Sequence, residues 1–105
     1  MANFGVVILT MGSRPNELRK AIDSVLNQVN VDTNIVVVGN GWEPVDLPNG
    51  VAALALPENI GIPAGRNAGA SQVNGEILFF LDDDAELPDS HFLERMVALL
   101  DTRPA

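Results

Sequence analysis

The sequence predicts an α/β domain of three layers, αβα, built around a mainly parallel sheet of four strands. Two observations carry that prediction. Short apolar runs bounded by turn residues alternate with stretches of helical periodicity, which is the pattern of βαβ units. The most apolar run, Ile77-Leu78-Phe79-Phe80-Leu81, ends abruptly in Asp82-Asp83-Asp84. An unalternating apolar run bounded by Gly75 and Pro88 describes a strand buried on both faces, the central strand of a parallel sheet. The acids then stand at its carboxyl end, where open α/β sheets bind their ligands.

The other elements follow in order. Gly5-Val6-Val7-Ile8-Leu9-Thr10 is β-branched and apolar, and is expected to be the first strand. Met11-Gly12-Ser13-Arg14-Pro15-Asn16 is a turn, after which Leu18, Ala21, Ile22, Val25 and Leu26 recur at helical spacing, predicting an amphipathic helix from Leu18 to about Gln28. Asn34-Ile35-Val36-Val37-Val38 is the second strand and ends in Gly39-Asn40-Gly41-Trp42, a tight turn that lets a ligand approach the backbone. Trp42 is expected to pack locally rather than stack on a base. The proline-containing stretch from Glu43 to Gly50 is a loop.

Val51 to Leu56 is a third, weaker strand. A turn-rich loop from Pro57 to Pro63 leads into a short helix over about Ala64 to Val73, whose glycines suggest close packing or ligand approach rather than intrinsic helicity. Asn74-Gly75 is its stop signal. After the acids, Leu93, Met96, Val97 and Leu100 mark a third helix with Asp89 or Ser90 at its N-cap. His91 falls in its first turn and is expected to be a surface residue.

Composition narrows the function. The 105 residues carry six Lys and Arg against fourteen Asp and Glu, a net charge of −8, which excludes a nucleic-acid backbone or an anionic membrane surface as the natural partner. An anionic ligand would need a metal or a helix N-terminus to hold it. The chain has 47% apolar residues, a mean hydropathy of +0.17 and no cysteine. It shows no membrane-spanning run, no basic leader and no internal repeat, so a single domain in the cytoplasm is expected.

Three adjacent carboxylates at the mouth of a dry sheet repel one another, by about 4 kcal/mol for a pair ~4 Å apart at an effective dielectric of 20. A divalent cation removes that cost, and oxygen donors suit Mg²⁺ or Mn²⁺ rather than Zn²⁺. If the strand stays extended through the acids, Asp82 and Asp84 share one face and form the metal pair, with Asp83 on the other. The competing reading is a solvated acidic turn leading into the next helix.

Taken together, these pieces resemble the family 2 glycosyltransferases. The likeness rests on Val7-Ile8-Leu9-Thr10, Arg14-Pro15, Ser24-Val25-Leu26-Asn27-Gln28, Asn59-Ile60-Gly61, Gly65-Arg66-Asn67-Ala68-Gly69 and the run from Asn74 to Asp84. It implies a Rossmann-like GT-A fold and a nucleotide-sugar donor, a UDP-, GDP- or dTDP-sugar, held with Mg²⁺ or Mn²⁺. By the same resemblance, Asp82 contacts the ribose or base, Asp84 coordinates the metal and Asp83 shares either task. Thr10 lies against the nucleotide, Arg66 reaches toward base or phosphates, and Arg14 belongs to the same nucleotide-binding set.

Two departures from the family pattern stand out. Members commonly carry an acid after the second strand for base recognition, where this chain has Gly39-Asn40, leaving Asn40 as the candidate for a base edge. The family's acceptor half, with the carboxylate that deprotonates the acceptor in inverting members, is not found by Ala105. A fragment of a longer glycosyltransferase is therefore expected, weakly active or inactive alone and prone to self-association through uncovered apolar surface. Glu86 and Asp89 lie too close to the acid run for either to be named the base. A nucleotidyltransferase, a phosphotransferase with an aspartyl nucleophile and a non-catalytic cation-binding or interaction module are the alternatives.

Overall fold

The computed structural model describes residues 1–101. Its elements are β1 (Ala2–Thr10), α1 (Pro15–Leu26), β2 (Val31–Asn40), β3 (Val51–Leu56), α2 (Ile62–Ala70), β4 (Ile77–Asp82) and α3 (Phe92–Asp101). The strands form one sheet in the order β3-β2-β1-β4, with all pairings parallel. The sheet is thus entirely rather than mainly parallel, and the α/β class stands.

Alternation along β1 divides the core in two. Phe4, Val6 and Ile8 face a layer made of Leu18, Ala21, Ile22 and Val25 of α1 and Leu93 of α3, with Ile35, Val37 and Leu81 alongside them in the sheet. On the other face Val7, Val36 and Val38 pack with Leu9, Leu54, Leu56 and Val73 beneath α2. α2 lies close because its glycines allow it: a Cβ built on Gly69 would fall 2.5 Å from Val7 Cγ1 and 2.7 Å from Val38 Cγ2. Gly69 in this helix therefore serves close packing, one of the two roles expected of its glycines.

The interior strands are β2 and β1, not β4. β4 is an edge of the sheet, and Leu78 and Phe80, its residues on the α2 side, are 46% and 38% exposed. The reason is coverage: α2 seats on Val7 and Val38 of β1 and β2, so the same face of β4 lies outside its shadow. An unalternating apolar run signals burial on both faces but does not say what does the burying.

Helix boundaries also move. α1 starts at Pro15, whose fixed φ suits the first helical position, and Leu18 N already donates to Arg14 O at 2.9 Å. α2 starts at Ile62 because Gly61, at φ 89°, turns the chain into it. It ends at Ala70, well before Asn74-Gly75. The third helix begins one residue after His91, and Asp89 accepts the His91 amide at 2.9 Å.

Candidate functional site

The strand order runs outward from β1 in both directions, and the carboxyl ends of β1 and β4 are neighbours, with Leu9 opposite Asp82. A cleft of about 650 Å³ opens there, lined by Leu9, Thr10, Met11, Arg14, Asn40, Asn59, Gly61, Ile62, Arg66 and the three acids. A hollow of about 210 Å³ at the opposite end of the sheet, around Asn3, Asp32 and Asn74, carries a single carboxylate and no strand-tip acids. The larger cleft is where the chemistry gathers.

The chain leaves β4 at Asp82 and turns at once, with Ala85 N donating to Asp82 O at 3.1 Å. The extended backbone that would have paired Asp82 with Asp84 is therefore absent, and each acid has its own surroundings. Asp83 points inward, 7% exposed, and accepts a 2.8 Å hydrogen bond from the Thr10 hydroxyl. Thr10 is itself 2% exposed, and its oxygen accepts the Gly12 amide at 3.0 Å. Asp84 turns outward to Arg14, 2.7 Å from Nη1 to Oδ2, while Arg14 Nη2 stands 3.4 Å from Asp83 Oδ1. Asp82 pairs with Arg66 at 3.0 Å, and that guanidinium also lies 5.7 Å from the Phe80 ring centroid.

The repulsion foreseen among the acids is thus relieved within the protein by two arginines and a hydroxyl. Three carboxylates against two guanidiniums leave one net negative charge at the cleft. The outer pairs are half exposed, so each is worth about 0–1 kcal/mol and is separable.

Asn40 lines the same cleft and is tied to the loop before α2. Its side chain is 4% exposed, its Oδ1 accepts the Ile60 amide at 2.9 Å and its Nδ2 donates to Gly61 O at 3.3 Å. The amide holds the loop before α2 through these two bonds. Asn40 thereby sets where Gly61 and Ile62, and with them the N-terminus of α2, meet the cleft. Asn59 adds a local turn by accepting the Gly61 amide at 2.9 Å.

Asn59, Gly61, Ile62 and Met11 line the cleft although no role was predicted for them. The signal for the first three was the Asn-Ile-Gly turn ahead of a helix, an Asx-turn sequence. Trp42 packs at the edge of the core against Gly12, where a Cβ would come within 2.4 Å of its indole, and does not line the cleft. His91 is a surface residue whose Nδ1 lies 2.9 Å from Glu94 Oε1.

The segment after the acids is held down by Ser24 of α1 and by Gln28 just beyond it. Leu87 N donates to Ser24 Oγ at 3.1 Å, Gln28 Nε2 donates to Asp89 O at 2.6 Å and Leu93 N donates to Gln28 Oε1 at 3.0 Å. Ser24 and Gln28, in a stretch that carries part of the family likeness, therefore brace the segment from Leu87 to Leu93 that follows the acidic turn.

The family model described as Glycosyl transferase family 2 matches residues 6–105. The chain belongs to that family. This family 2 chain is 29% identical over 105 residues to "Uncharacterized glycosyltransferase YwdF" of Bacillus subtilis (strain 168), an alignment covering 92% of this chain and 38% of that protein. Its fold matches S. aureus TarS 1-349 with a TM-score of 0.72 at 22% identity, over 94% of this chain and 32% of the other. It also matches the mannosyltransferase PcManGT from Pyrobaculum calidifontis, solved in complex with GDP-Man and Mn2+, with a TM-score of 0.75 at 18% identity, over 96% of this chain and 32% of the other. The GT-A type of nucleotide-binding fold expected from the sequence is thus shown. The chain spans about a third of the length of these relatives.

Among the described residues no group of three or more His, Cys, Asp or Glu side chains is arranged to hold a metal ion, and no helix is long and apolar enough to cross a membrane. The donor chemistry still fits a hard cation. Mg²⁺ and Mn²⁺ at nucleotide sites need only one or two carboxylates, with phosphates and water completing the shell, and the half-exposed Asp84 carboxylate lines the cleft.

Proposed function

We propose that this chain is the donor-binding part of a metal-dependent glycosyltransferase, and that it holds a nucleotide-diphosphate sugar in the cleft at the tips of β1 and β4. The observation that carries this reading is the convergence there of Thr10, Arg14, Arg66 and Asp82 to Asp84 from separate parts of the chain. Two relatives with the same fold support it, one solved with UDP-GlcNAc and one with GDP-Man and Mn2+.

Each residue has a task that its geometry supports. Asp83, fixed by Thr10, holds the turn in place. Asp84 and, after release from Arg66, Asp82 supply oxygen ligands to Mg²⁺ or Mn²⁺. Arg66, freed of Asp82, meets a phosphate, and the N-terminus of α2 at Gly61 and Ile62 faces the same volume with its partial positive charge. When bound, the cation neutralises the diphosphate and stabilises the leaving nucleoside diphosphate as the glycosidic bond breaks.

The acceptor site and the carboxylate that deprotonates the acceptor are proposed to belong to the remainder of a longer protein, in keeping with the third of its relatives' length that this chain spans. Asp89 is ill suited to that task, since Arg95 grips both its oxygens at 3.0 and 2.8 Å outside the cleft lining. Self-association is proposed through the open face of β4, where Leu78 and Phe80 are exposed.

Amide chemical-shift mapping tests the donor site. With UDP or GDP and Mg²⁺, the shifts should cluster at Thr10 to Arg14, Gly61 to Arg66 and Asp82 to Asp84. A map centred on Asn3, Asp32 and Asn74 would contradict the assignment.

A further inference from the structure

Arg14 and a divalent cation require the same atom. Arg14 Nη1 sits 2.7 Å from Asp84 Oδ2, an ion pair on the oxygen that a metal at Asp84 would use. The neighbouring acid is different: Asp83 is buried and already bonded to Thr10, whereas the Asp84 side chain is 47% exposed. Turning Arg14 outward gives up its contacts with Asp84 at 2.7 Å and with Asp83 at 3.4 Å, and the buried Asp83 carboxylate keeps its bond from Thr10. The Arg14 side chain is 49% exposed, and its contribution to α1 is made by the backbone, through the 2.9 Å bond from Leu18 N to Arg14 O.

We propose that Arg14 is an exchangeable counter-cation, yielding Asp84 to the divalent cation and transferring its guanidinium to the donor's diphosphate. The inference rests on the donor-binding reading above and deepens it.

Charge balance gives the reason for the exchange. The acids and the two arginines carry one net negative charge. A dication alone would invert that sign, while a dication together with a diphosphate diester, which carries two negative charges, leaves it unchanged. Cation and donor are therefore accommodated best as a pair, and the guanidinium released from Asp84 has an anion to meet. Arginine suits this duty because its planar fork matches carboxylate and phosphate oxygens alike. The consequence is opposite effects on two ligands: Arg14 weakens binding of the bare cation and strengthens binding of the nucleoside diphosphate.

The test uses the full chain. Bound Mn²⁺ is read from the loss of the free-ion electron paramagnetic resonance signal, and UDP and GDP binding in the presence of Mn²⁺ is read by calorimetry, for wild type, Arg14→Gln and Arg14→Lys. Arg14→Gln should bind Mn²⁺ alone about twofold to fivefold more tightly, the scale of a screened surface pair. The same variant should bind the nucleoside diphosphate about tenfold or more weakly. Arg14→Lys, which keeps the charge and loses the fork, should fall between wild type and Arg14→Gln for both ligands and carries the test if the glutamine variant does not fold. Unchanged or weaker Mn²⁺ binding in the variants, with the nucleoside diphosphate still bound by wild type, overturns the exchange and leaves the donor site standing. Failure of wild type to bind either nucleoside diphosphate with Mn²⁺ overturns both.

Discussion

Thr10 donates a 2.8 Å hydrogen bond to Asp83 across the tips of β1 and β4, joining residues 73 positions apart in the chain. Both side chains are buried, so this contact fixes the acidic turn to β1, an interior strand. Thr10→Val keeps the shape and removes the donor, leaving a buried carboxylate short of a partner. The expected loss is about 1.5–3 kcal/mol, the range for hydrogen bonds to charged groups. Urea denaturation measures it, and a loss indistinguishable from zero would show that Asp83 is held by Arg14 alone.

Asn40 acts on the cleft at one remove. Asn40→Ala deletes both bonds to the loop before α2 and leaves the Ile60 amide without its acceptor. A destabilisation of about 1–3 kcal/mol is expected. Faster hydrogen exchange at Ile60 and Gly61, with α1 protection unchanged, identifies the loop as the part that loosens. A direct role at a base edge would instead lower nucleotide affinity with no change in exchange.

Gly69→Ala sets two effects against each other. Alanine improves helix propensity by about 1 kcal/mol. Its Cβ would press on Val7 and Val38 at 2.5 and 2.7 Å, in a core where overpacking costs about 1–3 kcal/mol. Crowding should win, because both valines are buried in paired strands and have little room to give. A lowered thermal midpoint is the expected result.

At the α3 end, Arg95 beside Asp89 holds that carboxyl below its usual range, helped by the His91 amide. The hydrogen bond from His91, and then that from Asn30, does the same for Glu94. Groups whose folded values are depressed add stability above their unfolded values and lose it as pH falls through the folded ones. Stability should therefore decline below about pH 4.5, modestly, because both pairs are exposed. Asp89→Asn should flatten that acid limb in pH-dependent urea titrations; an unaltered limb would place the dependence elsewhere.

The difference between what was legible in the sequence and what was not lies in the range of the interactions. β1 and β2 announced themselves because burial on both faces forces β-branched runs, and the acids marked the cleft because nothing apolar competes at a strand tip. Thr10, Arg14, Arg66 and Asp82 to Asp84 do line one cleft. The pairings inside it, Arg14 with Asp84 and Arg66 with Asp82, depend on where α1 and α2 settle. No local pattern encodes that. The bonds from Asn40 to the loop before α2 were hidden for the same reason, since its partners lie about twenty residues away in a loop of no fixed period. The exposure of Leu78 and Phe80 on β4 followed from the seat of α2 on β1 and β2, a packing fact that an apolar run cannot report.

The central claim is a metal-dependent donor site at the carboxyl ends of β1 and β4. Calorimetric titration of UDP and GDP into the protein, with Mn²⁺ and then with a chelator, tests it most directly, with Asp84→Ala alongside. The account predicts binding of at least one nucleoside diphosphate with Mn²⁺ that is lost in chelator and in the variant. Equal binding with and without the metal, or binding undiminished by Asp84→Ala, would contradict it.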